Sequence, residues 1–162
     1  MIRNARAKDA QDICAIYNYY VETSIATFDT EPKTPDYFVQ RMKEVQTSHP
    51  WVVFEGNDEQ VVGYAYGVQL KPRSAYSKSV EISVYLHKDA GGRGIGTKLY
   101  EGLIERLKEM GMHAIIGGVS LPNEHSVRLH EKLGFEKVAH FKEVGFKFNT
   151  WIDVGYWQLT VD

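Results

Sequence analysis

Cysteine is almost missing from this chain: of its 162 residues only Cys14 is one, so no disulfide can form within it. Cys14 falls between Ile13 and Ile16 on a predicted helix, which fits a packed thiol better than a nucleophile. No apolar run approaches the length needed to cross a bilayer, so no membrane partner is expected. The start, Met1 to Arg6, lacks the apolar core of a secretory signal, and a cytoplasmic location is the expectation. A block of one charge sign is also absent. The 19 Lys and Arg are interleaved with 21 Asp and Glu, for a net charge of −2, which argues against nucleic acid as a partner. The five prolines are scattered, and there is no repeat, low-complexity tract or linker. A single domain over residues 1–162 is expected, long enough for one sizeable core.

What is present is a periodic pattern. Residues 2–6 read as a strand and 9–21 as a helix, with Ile13, Ile16, Tyr17 and Tyr20 on one face. Thr34-Pro35 is an N-cap followed by a first-turn proline, opening a helix that buries Phe38, Met42 and Val45; Pro50 stops it. Residues 51–55 and 60–68 read as strands joined through Gly56-Asn57-Asp58. Val80, Ile82, Val84 and Leu86 alternate with Glu81, Ser83 and Tyr85, a further strand. Gly91-Gly92-Arg93-Gly94-Ile95-Gly96 comes next, then a helix over 94–110 carrying Ile95, Leu99, Leu103, Leu107 and Met110, closed by Gly111. A strand over 113–119, a short helix over 123–133 closed by Gly134, and two antiparallel strands over 135–144 and 152–160 complete the order βααβββαβαββ, a mixed α/β chain. The aromatic tail, Phe146, Phe148, Trp151, Tyr156 and Trp157, reads mostly as core, with part of it available as a dimer face.

A glycine-rich turn at a helix start aims free N–H groups at one point on the positive end of the helix dipole, a geometry that binds phosphate. The dinucleotide fingerprint G-x-G-x-x-G fails, since Thr97 or Leu99 stands where its last glycine belongs. The P-loop pattern nearly fits from Gly91 to Gly96, but Thr97-Lys98 reverses the required order. A third pattern, [QR]-x-x-G-x-[GA], fits at Gly94 and Gly96 and departs at Gly91.

That third pattern belongs to the GNAT superfamily of acyl-CoA-dependent N-acyltransferases, which the chain resembles well beyond the turn. Leu121-Pro122-Asn123, Ser126 to Phe135 with its closing Leu133-Gly134-Phe135, Ala26 to Pro32, Arg73-Ser74-Ala75-Tyr76, Leu129-His130-Glu131 and Gly145-Phe146-Lys147-Phe148 all match. Within the superfamily these pieces are similar to the branch that acetylates phosphinothricin and methionine sulfoximine. The resemblance implies the GNAT fold: a mixed, mostly antiparallel sheet with helices on both faces and a central strand pair that splays apart. It also implies acetyl-CoA as cosubstrate and a homodimer. Val84, Tyr85 and Leu86 would offer backbone groups to the pantetheine arm. Gly92, Arg93, Gly94, Ile95, Gly96 and Thr97 would wrap the pyrophosphate, and Asn123 and Ser126 would contact the arm. Asn123 is equally a good N-cap. Gly117-Gly118 inside a strand suggests close approach of a ligand or another backbone.

Acetyl transfer needs a neutral amine and a proton for the departing thiolate. Glu81, opposite the apolar face of its strand, is the candidate base, with a salt bridge to Arg73 or Lys78 as the alternative reading. His130 stands where many relatives carry a tyrosine acid; it could donate a proton or simply pack as a core histidine. Phe28, Arg73 and Tyr76 would bind the substrate, Arg73 as a bidentate anchor for its acidic group. A small amino-acid-like amine is the expected substrate and no metal is expected. Acetylation of a protein N-terminus or lysine, or a non-catalytic acyl-CoA-binding domain, are the other readings.

Overall fold

The computed structural model describes Met1–Asp162. One seven-stranded sheet runs through the molecule in the order β1-β2-β3-β4-β5-β7-β6. Its strands are β1 (Ile2–Asn4), β2 (Trp51–Glu55), β3 (Val61–Gln69), β4 (Ser79–Leu86), β5 (Ala114–Leu121), β6 (Glu136–Lys147) and β7 (Thr150–Thr160). Every neighbouring pair is antiparallel except β4–β5, which is parallel. Four helices, α1 (Ala10–Thr23), α2 (Pro35–Val45), α3 (Ile95–Glu109) and α4 (Glu124–Lys132), complete the order expected from the sequence. This is the architecture that the resemblance implies, with helices on both faces of the sheet.

The two faces carry two cores. Val80 and Ile82 of β4 turn toward α3, whose Leu99, Leu103 and Leu107 are fully buried. Each such leucine contributes about 1.5–3 kcal/mol, so the helix bearing the glycine-rich turn is anchored along its length. On the other face Ile13, Ile16 and Tyr17 of α1 and Phe38, Met42 and Val45 of α2 pack on Trp51 and Tyr64. Thr34 caps α2 as its sequence promised, its hydroxyl accepting from the Tyr37 N–H at 3.1 Å.

Two expectations about the C-terminal hairpin need correction. β6 and β7 extend to Lys147 and Thr150. Both turn residues between them, Phe148 and Asn149, adopt positive φ (52° and 57°), the conformation of a tight hairpin turn. A phenylalanine there gives no turn signal in the sequence. The tail is also not mostly core. Trp157 is 2 % exposed, but Phe146, Phe148 and Trp151 are 53 %, 55 % and 62 % exposed. β5 pairs with β7 only as far as Leu121 with Asp153, so the end of the hairpin that carries these three exposed residues runs past its neighbouring strand.

Candidate active site

The parallel β4–β5 ladder is short. It pairs Ser79 with Ala114 through Ile82 with Gly117 and stops, although β4 continues to Leu86 and β5 to Leu121. Beyond the last pair β4 stays with β3 as far as Leu86, and β5 stays with β7 as far as Leu121. The two strands therefore splay, and a cavity of about 440 Å³ opens between them. Ser83, Val84, Tyr85 and Leu86 wall it on one side, Gly118, Val119 and Ser120 on the other. Asn123, Ser126, Leu129 and His130 of α4 and its cap close one end, and Ser24, Ile25 and Ala26 contribute a loop.

Register decides which backbone groups face the gap. The His87 N–H donates to the Val62 carbonyl at 2.8 Å and the Leu70 N–H to the Ser79 carbonyl at 3.0 Å. Alternation then turns the N–H and C=O of Ser79, Glu81, Ser83 and Tyr85 toward β3, and those of Val80, Ile82, Val84 and Leu86 toward β5. Tyr85 thus spends its backbone on β3 and packs its ring among Tyr17, Tyr20 and Tyr64. The Leu86 carbonyl accepts the Tyr20 hydroxyl. Val84, with both groups, and the Leu86 N–H remain as an open strand edge, the kind an extended amide chain can join.

At the mouth of the gap stands the N-terminus of α3. Gly94, its N-cap, has φ 73°, and no side chain caps the helix. The first helical hydrogen bond runs from Lys98 N–H to Gly94 O at 3.1 Å, so the N–H groups of Ile95, Gly96 and Thr97 precede it without a partner. Gly92 is left-handed too, and a Cβ on Gly91, Gly92 or Gly94 would meet nothing within 4 Å. Exposed Arg93 and Lys98 flank this turn, and Gly91 and Lys88 line the cavity. Bare amides, a helix dipole and cations at one point fit a pyrophosphate. Gly96 differs from its neighbours, since a Cβ there would touch Leu129 at 3.4 Å and Leu86 at 3.6 Å; it packs α3 against α4 as well as baring its amide.

Asn123 does cap α4, its Oδ1 accepting from the Ser126 N–H at 3.1 Å. Its amide nitrogen is left for the cavity it lines. The paired glycines of β5 have a different cause from the one expected. A Cβ on Gly117 would lie 2.3 Å from His130 Nε2, and one on Gly118 3.1 Å from the Tyr156 ring and 3.6 Å from Glu81 Oε2. Within the protein, side chains rather than another backbone make the close approach, and Gly118 also lines the cavity.

Glu81 is half-buried and joins none of the ion pairs of the structure. The bridge to Arg73 or Lys78 does not form. Burial of this unpaired carboxyl raises its pKa above the ordinary carboxylate range. Glu81 does not itself line the cavity; its Oε2 lies 3.6 Å from where a Cβ on the lining residue Gly118 would stand. A proton acceptor with raised basicity close to the cavity wall suits amine deprotonation.

His130 is not placed to act as an acid. It is 2 % exposed, boxed by Tyr100, Phe135 and Trp157. Its Nδ1 donates to the Ser126 carbonyl at 2.7 Å, because a carbonyl can only accept. The neutral ring then has no proton on Nε2, which is buried without a partner against Gly117. Desolvation lowers its pKa and keeps the ring neutral. The ring fixes α4 against β5. Tyr85 and Tyr100 also line the cavity, with phenols held protonated by burial; sequence reading considered neither side chain as a proton donor.

The three expected substrate residues lie outside the cavity wall. Arg73 is exposed at the start of a short helical turn, Ser74–Tyr76, that feeds β4, and its guanidinium has no partner. Tyr76 is half-buried in the same turn. Phe28 is 40 % exposed, with its ring against Gly145. No group of three or more His, Cys, Asp or Glu is gathered anywhere, and no helix is long and apolar enough to cross a membrane.

Comparison with known proteins gives the same picture. Residues 2–155 match the acetyltransferase (GNAT) domain model. The chain is 38 % identical to a phosphinothricin N-acetyltransferase of Streptomyces viridochromogenes, over 97 % of this chain and 85 % of that one. It is 33 % identical to an L-methionine sulfoximine/L-methionine sulfone acetyltransferase of Pseudomonas aeruginosa, over 99 % and 94 %. Among solved structures, a phosphinothricin acetyltransferase from Sinorhizobium meliloti in complex with AcCoA superposes with a TM-score of 0.96 at 32 % identity, covering 99 % of this chain and 88 % of that one.

Proposed function

Since the chain belongs to the GNAT acetyltransferase family, we propose that it transfers an acetyl group from acetyl-CoA to the amine of a small amino-acid-like substrate, of the phosphinothricin, methionine sulfoximine or methionine sulfone kind. The observation that carries this reading is the β4–β5 splay, with an uncapped helix N-terminus at its mouth and an unpaired, half-buried Glu81 near Gly118 of its wall. Acetyl-CoA, when bound, supplies an acyl group activated as a thioester. The turn at residues 92–97, with Arg93, holds its pyrophosphate. Val84, the Leu86 N–H and the Asn123 amide hold its extended arm, with Ser126 beside them, and the free Val84 N–H is a donor for the acyl carbonyl.

Glu81 removes the proton from the substrate ammonium, which has no lone pair until it is gone. Tyr85 and Tyr100 face the same space as protonated donors. Arg73 anchors the substrate's acidic group through its planar fork, which turns binding into orientation; Phe28 and Tyr76 flank it. The need for acetyl-CoA favours a cytoplasmic setting. The exposed apolar side chains of the β6–β7 hairpin, Phe146 and Trp151 with ring centroids 4.7 Å apart among them, favour a homodimer, and Trp151→Glu would shift its mass toward the monomer in light scattering.

The substrate class is tested with Arg73→Ala. Its KM for phosphinothricin or methionine sulfoximine rises about tenfold or more while its acetyl-CoA affinity holds, and Arg73→Lys recovers only part. A wild-type enzyme that acetylates peptides or simple neutral amines better than these analogues overturns the class.

A further inference from the structure

Lys147 is a charged residue 4 % exposed, near the end of an edge strand and far in sequence from every hydrogen-bond acceptor of its ammonium. Its ammonium donates to three backbone carbonyls: Ser24 at 2.6 Å, Thr27 at 2.8 Å and Tyr20 at 3.3 Å. An ammonium has three protons, and all are used. The acceptors explain the cation. α1 ends at Thr23 with no basic residue in its last turn, so the negative pole of its dipole has no local cation. β6 supplies one from more than a hundred residues away.

The loop at residues 24–29 leads directly out of α1, and it is tied a second time to the same strand. The Phe28 ring lies on Gly145, where a Cβ would stand 2.3 Å from Phe28 Cζ. Tyr17 adds a third tie, its hydroxyl 2.8 Å from Thr27 Oγ1 and bonded to the Asp29 carboxylate. Of this loop, Ser24, Ile25 and Ala26 line the active-site cavity.

We infer that β6 sets the shape of the substrate side of the site: Lys147 and Gly145 are positioning residues that hold the loop at 24–29 against the cavity. The inference rests on the reading of that cavity as an amine acetyltransferase site. Two substitutions address it separately. Lys147→Met keeps the stem and removes the donor from three carbonyls. Gly145→Ala leaves Lys147 intact and pushes Phe28 away; Gly145 has no positive φ, so its backbone accepts alanine.

The experiment measures steady-state kinetics against phosphinothricin and methionine sulfoximine, acetyl-CoA affinity by calorimetry, and hydrogen exchange of residues 24–29. Expected for both variants is a rise in amine KM of about tenfold or more, with kcat and acetyl-CoA affinity within about threefold. Exchange at 24–29 quickens in Lys147→Met. Gly145→Ala combined with Phe28→Ala is no worse than Phe28→Ala alone, because the clash has lost its target. An unchanged amine KM in the folded variants overturns the inference, as does additive behaviour of the Gly145 and Phe28 changes. If the wild type acetylates neither analogue, the functional reading fails by itself. The clamp is then judged on exchange alone: faster exchange at 24–29 in Lys147→Met upholds it, unchanged exchange overturns it.

Discussion

Replacing Glu81 with Gln separates function from structure at the heart of the site. The side chain keeps its size and loses its charge. Glu81 has no ion-pair partner to lose, and its pKa is raised by burial. A carboxyl whose folded pKa lies above its unfolded value binds more protons in the folded state across that window. Its ionisation therefore lowers stability as pH climbs from the ordinary carboxylate range through the raised value. The uncharged variant escapes this cost, so at pH 7 its melting temperature equals or exceeds that of wild type, and the difference closes as the pH falls below about 4. Activity moves the other way. Loss of a positioned base costs about 10²–10⁴-fold in turnover at neutral pH, and the deficit narrows at high pH as the free amine becomes populated. Paired melting curves and pH–rate profiles on one preparation check both halves. A variant that melts well below wild type, with a pH–rate profile merely parallel to it, refutes the base and restores a structural ion for Glu81.

Three further substitutions test the parts around it. Gly91→Asp adds a negative charge in open space beside the glycine-rich turn and weakens acetyl-CoA binding in calorimetry by about tenfold or more with little change in melting; Gly96→Asp would confuse this by colliding with Leu129. Asn123→Ala loses a helix cap worth about 0.5–2 kcal/mol and raises the KM for acetyl-CoA, two effects read by melting and kinetics on the same variant. Gly117→Ala drives a methyl into His130 Nε2 and destabilises the fold by about 1–3 kcal/mol in denaturant titration, the usual range for overpacking a filled core.

Much of the molecule is legible in the sequence because it is local. The alternation at Val80 to Leu86, the leucine spacing after Gly94 and the Thr34-Pro35 start arise from periods and caps, and each element stands where its pattern puts it. The glycine-rich turn is legible for the same reason, since bare amides at a helix start need only adjacent residues. The features that could not be read depend on residues distant in the chain. Whether Val84 or Tyr85 turns its backbone to the gap is a matter of register with β3. The role of His130 turns on which of its nitrogens meets the Ser126 carbonyl and on Gly117 opposite. The exposure of Phe146 and Trp151 comes from the β6–β7 hairpin running past the end of β5, whose last pair is Leu121 with Asp153, which composition does not reveal. Lys147, an ordinary lysine in the sequence, becomes a helix cap only through a contact across most of the chain.

The central claim is that the splayed β4–β5 gap serves acetyl transfer to an amino-acid-like amine. The most direct measurement incubates the purified protein with acetyl-CoA and methionine sulfoximine or phosphinothricin, with free thiol and acetylated product quantified together by mass. The predicted result is thiol and N-acetylated product appearing one for one, with both rates lost in Glu81→Gln at pH 7. Acetyl-CoA binding with no acetylated amine from any of these substrates would contradict it and leave an acyl-CoA-binding domain in its place.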